Sequence, residues 1–510
     1  MKPFILLLAA VGSAFAQQCP NNAPLGDPGA TPAWNGWGVD VQNTRFQPAK
    51  DAGLTADQVS GLKLKWAFGI PDAKSMIGQP TIVGGRVFIS GDTGTVYSVD
   101  AATGCLHWSF KAEADVRNAP TVALVPGRQG RSSLYFGDLK GNVYSVDAGN
   151  GELLWKLAAD AHPKARVTAS PKFHDGRLYI GVSSFEEVGS ANPDYPCCTF
   201  RGSVVALDAA TGKQIWKTYT IAEGAKPTHK NSKGTQLWGP AGGGVWNSPT
   251  IDVKRHALYV GTGDAYTDPA AKNTDSIMAL DLNTGKILWS VQDLSSDAWI
   301  VGCDAKPYPE NCPKNLGPDF DFGSSPILKD LPNGHSVLIA GQKSGLVWAH
   351  DPDRKGAVMW KVNTAEKQPG FAGQIVWGGA ADDQNAYFGL SSGGVVALQL
   401  SDGTRKWFAP LEPAAGRAAG RESALSVIPG VVFSTGWDGV MHALSAADGH
   451  VLWEYDTAKP FETVNKVEAK GGSMGGPGPT VAGGMLFVGS GFPGVQNGIP
   501  GNVLLAFSAQ

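Results

Sequence analysis

The chain has 510 residues, 42% hydrophobic and 17% charged, so it can bury a large core and its composition excludes a disordered protein. The formal net charge of −3 gives no electrostatic reason to expect nucleic acid or an anionic membrane as a partner. Glycine, with 67 residues, and tryptophan, with 16, are both frequent, which favours hairpins with tight turns over helices.

The amino terminus is typical of a secretory signal. A basic start at Lys2 is followed by an apolar run over residues 4–11 and by a small-x-small cleavage site that ends at Ala16. No other stretch is apolar for the ~20 residues that a membrane span needs. We therefore expect residues 1–16 to be removed, and the mature chain from residue 17 to be periplasmic or secreted, with no membrane span.

Six cysteines in an exported chain permit disulfides. Cys303 and Cys312 close a short loop that is rich in proline, and they are the pair that the sequence favours most. The only support for a pair between Cys19 and Cys105 is that the number of cysteines is even. The sequence holds no Cys-x-x-Cys-His motif, so it predicts no covalently attached haem c.

One pattern recurs along the chain: an apolar strand, an Asp, a small turn that ends in Gly, and a Trp four residues after that Gly. In the clearest copy Asp208 follows the apolar run 202–207, Gly212 ends the turn and Trp216 lies in the returning strand, as in a β-hairpin. The other copies are Asp100/Gly104/Trp108, Asp147/Gly151/Trp155, Asp281/Gly285/Trp289 and, more loosely, Asp351/Gly356/Trp360, Leu400/Gly403/Trp407 and Ser445/Gly449/Trp453. Seven copies at about 45 residues predict an array of β units.

The two ends of this array complement each other. Residues 62–68 predict a strand with a Trp but no preceding Asp turn, whereas 485–490 and 503–507 predict strands with no Trp after them. If the first strand completes the last sheet, the ring closes and no sheet edge is left open. The sequence therefore predicts one all-β domain over residues 17–510, an eight-bladed β-propeller closed by its N- and C-terminal strands.

Several units begin with a proline just before their predicted first strand. A proline is tolerated there because the hydrogen bonds of the sheet have not yet begun. These prolines are Pro80, Pro120, Pro171, Pro249 and Pro326. Two units are stretched by insertions at residues 185–200 and 265–272, and a long segment at 292–318 joins the next pair. Loops of this length are uncommon without a function. We therefore expect the functional face to be the one that these insertions crowd.

Four carboxylates stand in these interrupted units: Glu187, Asp264, Asp319 and Asp321. The propeller places them at similar ends of successive blades, where they can converge near the axis. Convergent carboxylates repel one another unless a cation lies between them, and oxygen ligands from several loops suit a hard ion such as calcium. Taken singly, each is equally an ordinary loop acid or turn cap. The neighbouring Glu186 is not predicted to be a ligand.

The repeats resemble those of the eight-bladed quinoprotein alcohol dehydrogenases, which use pyrroloquinoline quinone (PQQ) with a calcium or lanthanide ion. Three runs, Tyr195–Gly202, Gly239–Pro249 and Gly317–Gly323, are similar to the polyvinyl-alcohol dehydrogenase branch in particular. The resemblance covers nearly the whole mature chain. It implies an exported PQQ-dependent enzyme that oxidises primary or secondary alcohols, such as polyvinyl alcohol, and passes electrons to a separate cytochrome c.

The resemblance also implies roles for individual residues. Glu187, Asp264, Asp319 and Asp321 match metal-ligand positions, and Asp319 matches the catalytic base. Asp264 stands where many members have Asn, and Asp321 matches the extra carboxylate of lanthanide-using members. The residues that match cofactor-binding positions are Trp246, whose indole stacks on one face of the quinone, and the polar groups of Arg117, Thr168, Ser184 and Lys343.

The sequence departs from the family's pattern in three ways. The adjacent cysteines, Cys197 and Cys198, follow Glu187, whereas the family's pair lies in an earlier blade. We expect them to form a strained disulfide on the face of the quinone opposite Trp246, the alternative being two separate thiols. The family's early Glu has no counterpart near Ile77. Asp297 offers a competing alignment for the base.

A second hypothesis is a non-catalytic propeller scaffold of the outer-membrane assembly type, which binds proteins and no cofactor. The fold alone cannot separate the two hypotheses. The convergent carboxylates and paired cysteines favour the enzyme, since a scaffold has no evident use for them together. The repeat tryptophans are expected to pack between blades in either case, and they include Trp108, Trp155, Trp216, Trp289 and Trp360.

Overall fold

The structure is a computed structural model that describes residues 18–20, 25–125, 130–304, 306–364, 374–494 and 497–509. The predicted secretory signal, residues 1–16, lies outside these residues. The described chain forms eight antiparallel sheets of four strands, one of which carries a further two-residue strand, and two short two-stranded sheets. In this part of the chain no helix has the length and apolarity to cross a membrane.

Each four-stranded sheet is one blade, and strands are numbered in chain order. β1 spans Leu62–Gly69. Blade 1 has β2 Thr81–Val83, β3 Arg86–Ser90, β4 Thr95–Asp100 and β5 Leu106–Lys111; blade 2 has β6 Thr121–Leu124, β7 Ser132–Gly137, β8 Asn142–Asp147 and β9 Leu153–Ala158. The short β10, Ala165–Arg166, precedes blade 3, which has β11 Lys172–His174, β12 Arg177–Ser184, β13 Ser203–Asp208 and β14 Gln214–Tyr219. A hairpin of β15 Lys226–Lys230 and β16 Gln236–Gly239 follows.

Blade 4 has β17 Thr250–Asp252, β18 Ala257–Gly261, β19 Ser276–Asp281 and β20 Ile287–Gln292; blade 5 has β21 Ile327–Asp330, β22 Ser336–Gly341, β23 Leu346–Asp351 and β24 Ala357–Asn363. Blade 6 has β25 Ala380–Ala381, β26 Asn385–Gly389, β27 Val395–Gln399 and β28 Arg405–Ala409; blade 7 has β29 Ser426–Ile428, β30 Val431–Thr435, β31 Val440–Ser445 and β32 Val451–Asp456. β33 Pro460–Phe461 and β34 Ala469–Lys470 form a second hairpin, before β35 Thr480–Ala482, β36 Met485–Ser490 and β37 Val503–Ala509. The helical segments are α1 Ala49–Ala52, α2 Ala56–Val59, α3 Glu186–Gly189 and a 3₁₀ turn at Pro352–Arg354.

Blade 8 closes the ring with both ends of the chain. Its strand order is β1-β37-β36-β35, and β1 pairs antiparallel with β37 from Leu62 opposite Ala509 to Gly69 opposite Val503. Blade 7 joins this junction through Trp453, whose Nε1 donates to the carbonyl oxygen of Leu62 at 3.1 Å. The predicted all-β, eight-bladed propeller and its closure by the terminal strands are confirmed.

The Asp–turn–Gly–Trp repeat forms the hairpin between the third and fourth strands of a blade. In blade 3 the Oδ1 of Asp208 accepts from the backbone N and Oγ1 of Thr211, at 2.8 and 2.7 Å. Gly212 closes the turn with φ of 74°, a left-handed conformation that favours glycine. The turn therefore satisfies its own polar groups, and its sequence alone is enough to specify it.

The repeat tryptophans lie between blades, as predicted. Trp155 of blade 2 packs under the turn of blade 3, where a Cβ added to Gly212 would lie 2.9 Å from its ring. Its Nε1 donates to the carbonyl oxygen of Ala209 in the same turn at 3.1 Å. Trp108 and Trp216 make the same hydrogen bond to the following blade. Each Trp therefore fastens its own blade to the next turn.

Residues 34–47 lie at the centre of the ring, and we call them the axial segment. The first strands of neighbouring blades contact one another and so surround the axis. The axial segment makes hydrogen bonds to the first strand of every blade. In blade order these bonds reach Ile82, Val122, Lys172, Ile251, Leu328, Ala381, Val427 and Val481. A short stretch of chain thus holds all eight blades together.

The long insertions lie on one face of the ring, as predicted. They join second to third strands or one blade to the next, whereas the tight turns lie at the opposite ends of the strands. Ala265 bridges both Gly242 and Ala298, and the N–H of Val301 donates to the carbonyl oxygen of Glu187 at 3.2 Å. We call this side the insertion face. All six cysteines are paired, as Cys19–Cys105, Cys197–Cys198 and Cys303–Cys312.

Candidate active site

A cavity of about 540 Å³ opens on the insertion face. Nine of the eleven residues predicted for the site line it, although they come from blades 2 to 5 and their connecting loops. They are Arg117, Thr168, Ser184, Glu187, Trp246, Asp264, Asp319, Asp321 and Lys343. The propeller therefore brings together residues that are more than 200 positions apart in the chain. We call this space the cofactor cavity.

Three carboxylates meet at one point of the cavity wall. Asp264, Asp319 and Asp321 each place an oxygen within 4.8 Å of the others. The N–H of Asp264 donates to Oδ1 of Asp321 at 2.8 Å, whereas the buried Oδ2 of Asp264 has no hydrogen-bond partner. Two oxygens that bind one Ca²⁺ at about 2.3–2.6 Å lie at most about 5 Å apart, so this spacing fits a shared cation.

Burial and mutual repulsion make the ionised cluster costly without a cation. Burial, and then Asp321, raise the pKa of Glu187 to about 8. Burial raises the pKa of Asp319 to about 7, although Lys343 acts in the opposite direction. Burial, and then Asp321 and Asp319, raise the pKa of Asp264 well above its usual value. Each shift has the sign that an added positive charge would reverse.

Lys343 is the cation that the chain itself supplies to this cluster. Its Nζ lies 2.6 Å from Oδ1 of Asp319 and 3.2 Å from Oδ2 of Asp321. Burial lowers the pKa of Lys343, but the two carboxylates outweigh burial and raise it well above its usual value. One ammonium lies beside a cluster of four carboxyl groups and does not offset the effect of burial on Glu187, Asp264 and Asp319, whose pKa values stay raised.

Asp319 is held by a neighbouring acid. The buried carboxylate of Asp297 accepts the N–H of Asp319 at 3.1 Å and of Phe320 at 2.7 Å. Asp319 has φ of 60°, a left-handed conformation that costs a residue other than glycine about 1–3 kcal/mol. Asp297, the competing alignment for the base, therefore fixes the loop that carries Asp319 and does not line the cofactor cavity.

Trp246 forms one wall of the cavity. Its Nε1 donates to Oδ2 of Asp321 at 3.0 Å, which ties the indole to the carboxylate cluster. A Cβ added to Gly323 would lie 1.9 Å from the ring, so the ring can take this position only beside a glycine. Trp377 stands nearly perpendicular to Trp246, with ring centroids 5.9 Å apart. The Arg117 guanidinium lies over Trp377, 4.8 Å from its centroid.

Sequence reasoning missed several residues that line the cavity. They are Tyr266, Trp377, Trp437 and Phe492. Trp437 and Phe492 stack on each other at 5.1 Å, and the hydroxyl of Tyr266 lies 3.4 Å from Oγ of Ser184. A signal was available for the two tryptophans, because neither belongs to an Asp–turn–Gly–Trp repeat.

The Cys197–Cys198 disulfide lies elsewhere. Cys197 lines a second cavity on the insertion face, and neither cysteine is among the described residues that line the cofactor cavity. Glu186 fixes this part of the chain, since its buried carboxylate accepts the N–H groups of Thr199 at 3.0 Å and Phe200 at 2.8 Å. The two adjacent acids thus differ in direction: Glu186 is turned to the insertion and Glu187 to the cofactor cavity.

Comparison with known proteins identifies the family of the chain. A family model described as the β-propeller domain of glucose, ethanol and alcohol dehydrogenases that use PQQ matches residues 34–317. A second, described as outer membrane protein assembly factor BamB, matches only residues 418–510. This second match covers the last blades, which contribute none of the clustered carboxylates Asp264, Asp319 and Asp321.

Two curated relatives cover almost the whole chain. The polyvinylalcohol dehydrogenase of a Pseudomonas species is 41% identical, over 96% of this chain and 79% of its own length. That of Sphingopyxis sp. (strain 113P3) is 39% identical, over 97% and 79%. The crystal structure of quinohemoprotein alcohol dehydrogenase from Comamonas testosteroni has the same fold, with a TM-score of 0.68, 18% identity and coverage of 94% of this chain and 80% of that chain. The chain belongs to the quinoprotein alcohol dehydrogenase family and is a PQQ-dependent alcohol dehydrogenase.

Proposed function

We propose that the enzyme oxidises the hydroxyl groups of polyvinyl alcohol, or of similar primary and secondary alcohols, with a calcium or lanthanide ion beside PQQ. The observation that carries this proposal is the meeting of Asp264, Asp319 and Asp321 within 4.8 Å on the wall of an aromatic-lined cavity. The substrate class is supported by the name of the 41% identical relative, polyvinylalcohol dehydrogenase.

The ion would be held by Glu187, Asp264, Asp319 and Asp321. The partnerless Oδ2 of Asp264 and the raised pKa values of the cluster support this donor set, since both are features that a cation corrects. Carboxylate oxygens are the ligands that hard cations prefer. Calcium and lanthanide ions are both hard cations that carboxylate oxygens can bind, so the proposal includes both.

The flat cofactor would lie against the indole of Trp246, which the glycine at 323 allows to reach into the cavity. Arg117, Thr168, Ser184 and Lys343 place polar groups around the same space and would bind its carboxylates and carbonyls. Burial lowers the pKa of Arg117 to about 10, so its guanidinium is still charged at neutral pH and suits an anionic cofactor. Cys197 lines the other cavity, so contact of the Cys197–Cys198 disulfide with the quinone stays a prediction.

Asp319 would act as the general base. When bound, PQQ accepts a hydride from the alcohol carbon while the ion polarises its carbonyl as a Lewis acid. Asp319 would take the hydroxyl proton, and it must be ionised to do so. Lys343 at 2.6 Å and the cation both favour the ionised form, against the effect of burial. Asp297 keeps the carboxylate at this place by holding the backbone of residues 319 and 320.

We also propose that the protein works in an oxidising compartment outside the cytoplasm and passes its electrons to a separate cytochrome c. Three disulfides in the chain support the compartment, because such bonds persist where thiols are not kept reduced. Reduction of a soluble cytochrome c by the enzyme in the presence of alcohol, without a dye, would test the acceptor. Sequencing the amino terminus of the secreted protein would test the removal of residues 1–16.

The function is tested by purifying the protein and adding PQQ with Ca²⁺ or a lanthanide ion. Dye reduction is then followed with polyvinyl alcohol, secondary alcohols and primary alcohols. We expect activity that needs both PQQ and the ion and that is highest with polyvinyl or secondary alcohols. Failure to retain PQQ, together with no dye reduction under any ion, would contradict the proposal.

A further inference from the structure

The insertion face holds a second cavity, of about 700 Å³. Its walls come from the hairpin β15–β16, from the loop after β18 and from the long loop before β21. Residues on these three walls include Trp238, Tyr266 and Pro313. The volume lies within the ~300–1,000 Å³ of ordinary ligand sites, so the space is large enough for an organic ligand. We call it the outer cavity.

The walls of the outer cavity are fixed by hydrogen bonds between the insertions. The N–H of Trp238 donates to the carbonyl oxygen of Cys197 at 2.7 Å, which joins the hairpin to the blade 3 insertion. The Nδ2 of Asn231 donates to Oδ1 of Asn311 at 2.8 Å, and that of Asn315 to Oδ2 of Asp268 at 2.7 Å. The Cys303–Cys312 disulfide closes the long loop. The cavity is therefore preformed, which lowers the cost of ordering its walls around a ligand.

The outer cavity and the cofactor cavity share one lining residue. Tyr266 lines both spaces, and it is almost fully buried between them. Its hydroxyl points toward the cofactor cavity, 3.4 Å from Oγ of Ser184. Tyr266 also follows the proposed ligand Asp264 by two residues. A molecule in the outer cavity would thus contact a side chain that also lines the cofactor cavity.

The lining of the outer cavity suits an uncharged molecule that is both apolar and rich in hydroxyl groups. The lining includes the rings of Trp238, Pro240 and Pro269 together with polar groups such as the hydroxyl of Thr267. The charged residues of the lining balance, with two acids and two lysines: Glu223, Asp268, Lys272 and Lys314. One of the acids, Asp268, already accepts hydrogen bonds from Asn315. The wall therefore offers no net charge for an ionic ligand.

We propose that the outer cavity binds the part of a neutral polyhydroxylated chain that continues from the reacting hydroxyl. Such a chain presents both apolar CH₂ groups and hydrogen-bonding CHOH groups, and the lining of the outer cavity offers partners for both kinds of group. The inference rests on the proposed function and adds to it. The outer cavity lowers KM for a polymer, whereas a short alcohol gains nothing from it.

Two substitutions test this inference from different sides. Ala270→Trp fills the outer cavity, and Trp238→Ala removes the largest ring from its wall. Tyr308→Ala is the matched control, because it removes an exposed aromatic ring from the same long loop without touching either cavity. We expect both variants to raise KM for a polyvinyl alcohol oligomer about tenfold, with kcat/KM for 2-propanol within about twofold of the parent. The control should change neither.

Binding is measured separately, by calorimetry of the same oligomer with protein that holds no PQQ. The two variants should weaken this binding about tenfold as well, and polyacrylate of equal length should not bind. If the oligomer is bound at the outer cavity but never oxidised, the proposed function fails and the binding site stands. If the polymer is oxidised and both folded variants leave KM and Kd unchanged, the outer cavity is not its site. Equal binding of polyacrylate would contradict a neutral ligand.

Discussion

The two faces of the propeller use the same side chain, aspartate, in opposite ways. On the face of tight turns, hydrogen bonds from Thr284 hold the pKa of Asp281 below its usual value. On the insertion face, burial and other acids raise the pKa of Asp264 well above its usual value. The carboxylate of Asp281 accepts hydrogen bonds from a residue three positions away in the chain. The charged groups that raise the pKa of Asp264 are other carboxylates. Local sequence therefore stabilises one face, whereas the other needs a cation that the chain does not supply in full.

The strongest test of this comparison replaces one aspartate from each face by asparagine. Asp319→Asn keeps an oxygen near the ion but cannot accept a proton, so we expect kcat to fall about 10²–10⁴-fold. Asp281→Asn should leave kcat within about twofold, because it lies in a turn far from both cavities. Dye-linked alcohol oxidation with saturating PQQ and ion measures both. Full activity in Asp319→Asn would show that another residue is the base.

The second test replaces two tryptophans by alanine, one that packs between blades and one that lines the cofactor cavity. Trp216→Ala removes a buried ring between blades and should lower the free energy of unfolding by about 3–5 kcal/mol. Trp246→Ala should lower the affinity for PQQ about tenfold or more, with a smaller loss of stability, because its ring lines a cavity. Thermal melting and PQQ titration separate the two effects. Equal stability losses in both variants would contradict the division between the faces.

The third test uses pH on protein freed of metal. The pKa of Glu187 is raised to about 8 and that of Asp319 to about 7, so between pH ~4 and ~8 the folded state binds more protons than the unfolded chain. Stability should therefore fall as pH rises through this window, with a melting temperature about 2–5 °C lower at pH 8 than at pH 5. Adding Ca²⁺ or a lanthanide ion should remove the difference. A melting temperature that rises with pH in the metal-free protein would contradict these shifts.

The smallest expected effect comes from a substitution in the tight turn of blade 3. Thr211→Val removes the hydroxyl that donates to Asp208 and keeps the shape of the side chain. We expect a loss of about 0.5–1.5 kcal/mol, the net contribution of one such hydrogen bond, and no change in KM. Thr211→Ser, which keeps the hydroxyl, is the control and should lie closer to the parent in thermal melting. A change in alcohol oxidation in either variant would show that the two faces are coupled.

The sequence predicted the parts of the molecule that local chemistry specifies. The Asp208 turn, the placement of Trp155 and the eight blades follow from short patterns whose partners lie nearby. The convergence of Glu187, Asp264 and Asp319 in one cavity was reached through the ring. Glu187 and Asp264 follow the second strands of blades 3 and 4, and Asp319 lies in the connection before blade 5, at the same face. These assignments of role stay predictions, whereas the common cavity is a property of the structure.

The parts that the sequence did not predict depend on contacts between distant segments. Nothing near Trp377 shows that its ring stands against Trp246, because the two lie in connections of different blades. The disulfide between Cys197 and Cys198 is formed as expected, whereas its place beside the quinone stays a prediction, because it depends on the conformation of a long insertion. The role of Asp297 is similar: its spacing resembles a base, and only the structure shows its bonds to the loop of Asp319.

The axial segment bears on how the number of blades is kept. It is synthesised before any blade, so each new inner strand can add to a template that already exists. Its hydrogen-bonding groups are distributed over eight inner strands, from Ile82 to Val481. A ninth blade, gained by duplication, would have to compete at the axis for groups that are already engaged. The repeats are interchangeable in principle, but the axial segment that they surround has its hydrogen-bonding groups engaged by eight inner strands and so limits the number of blades.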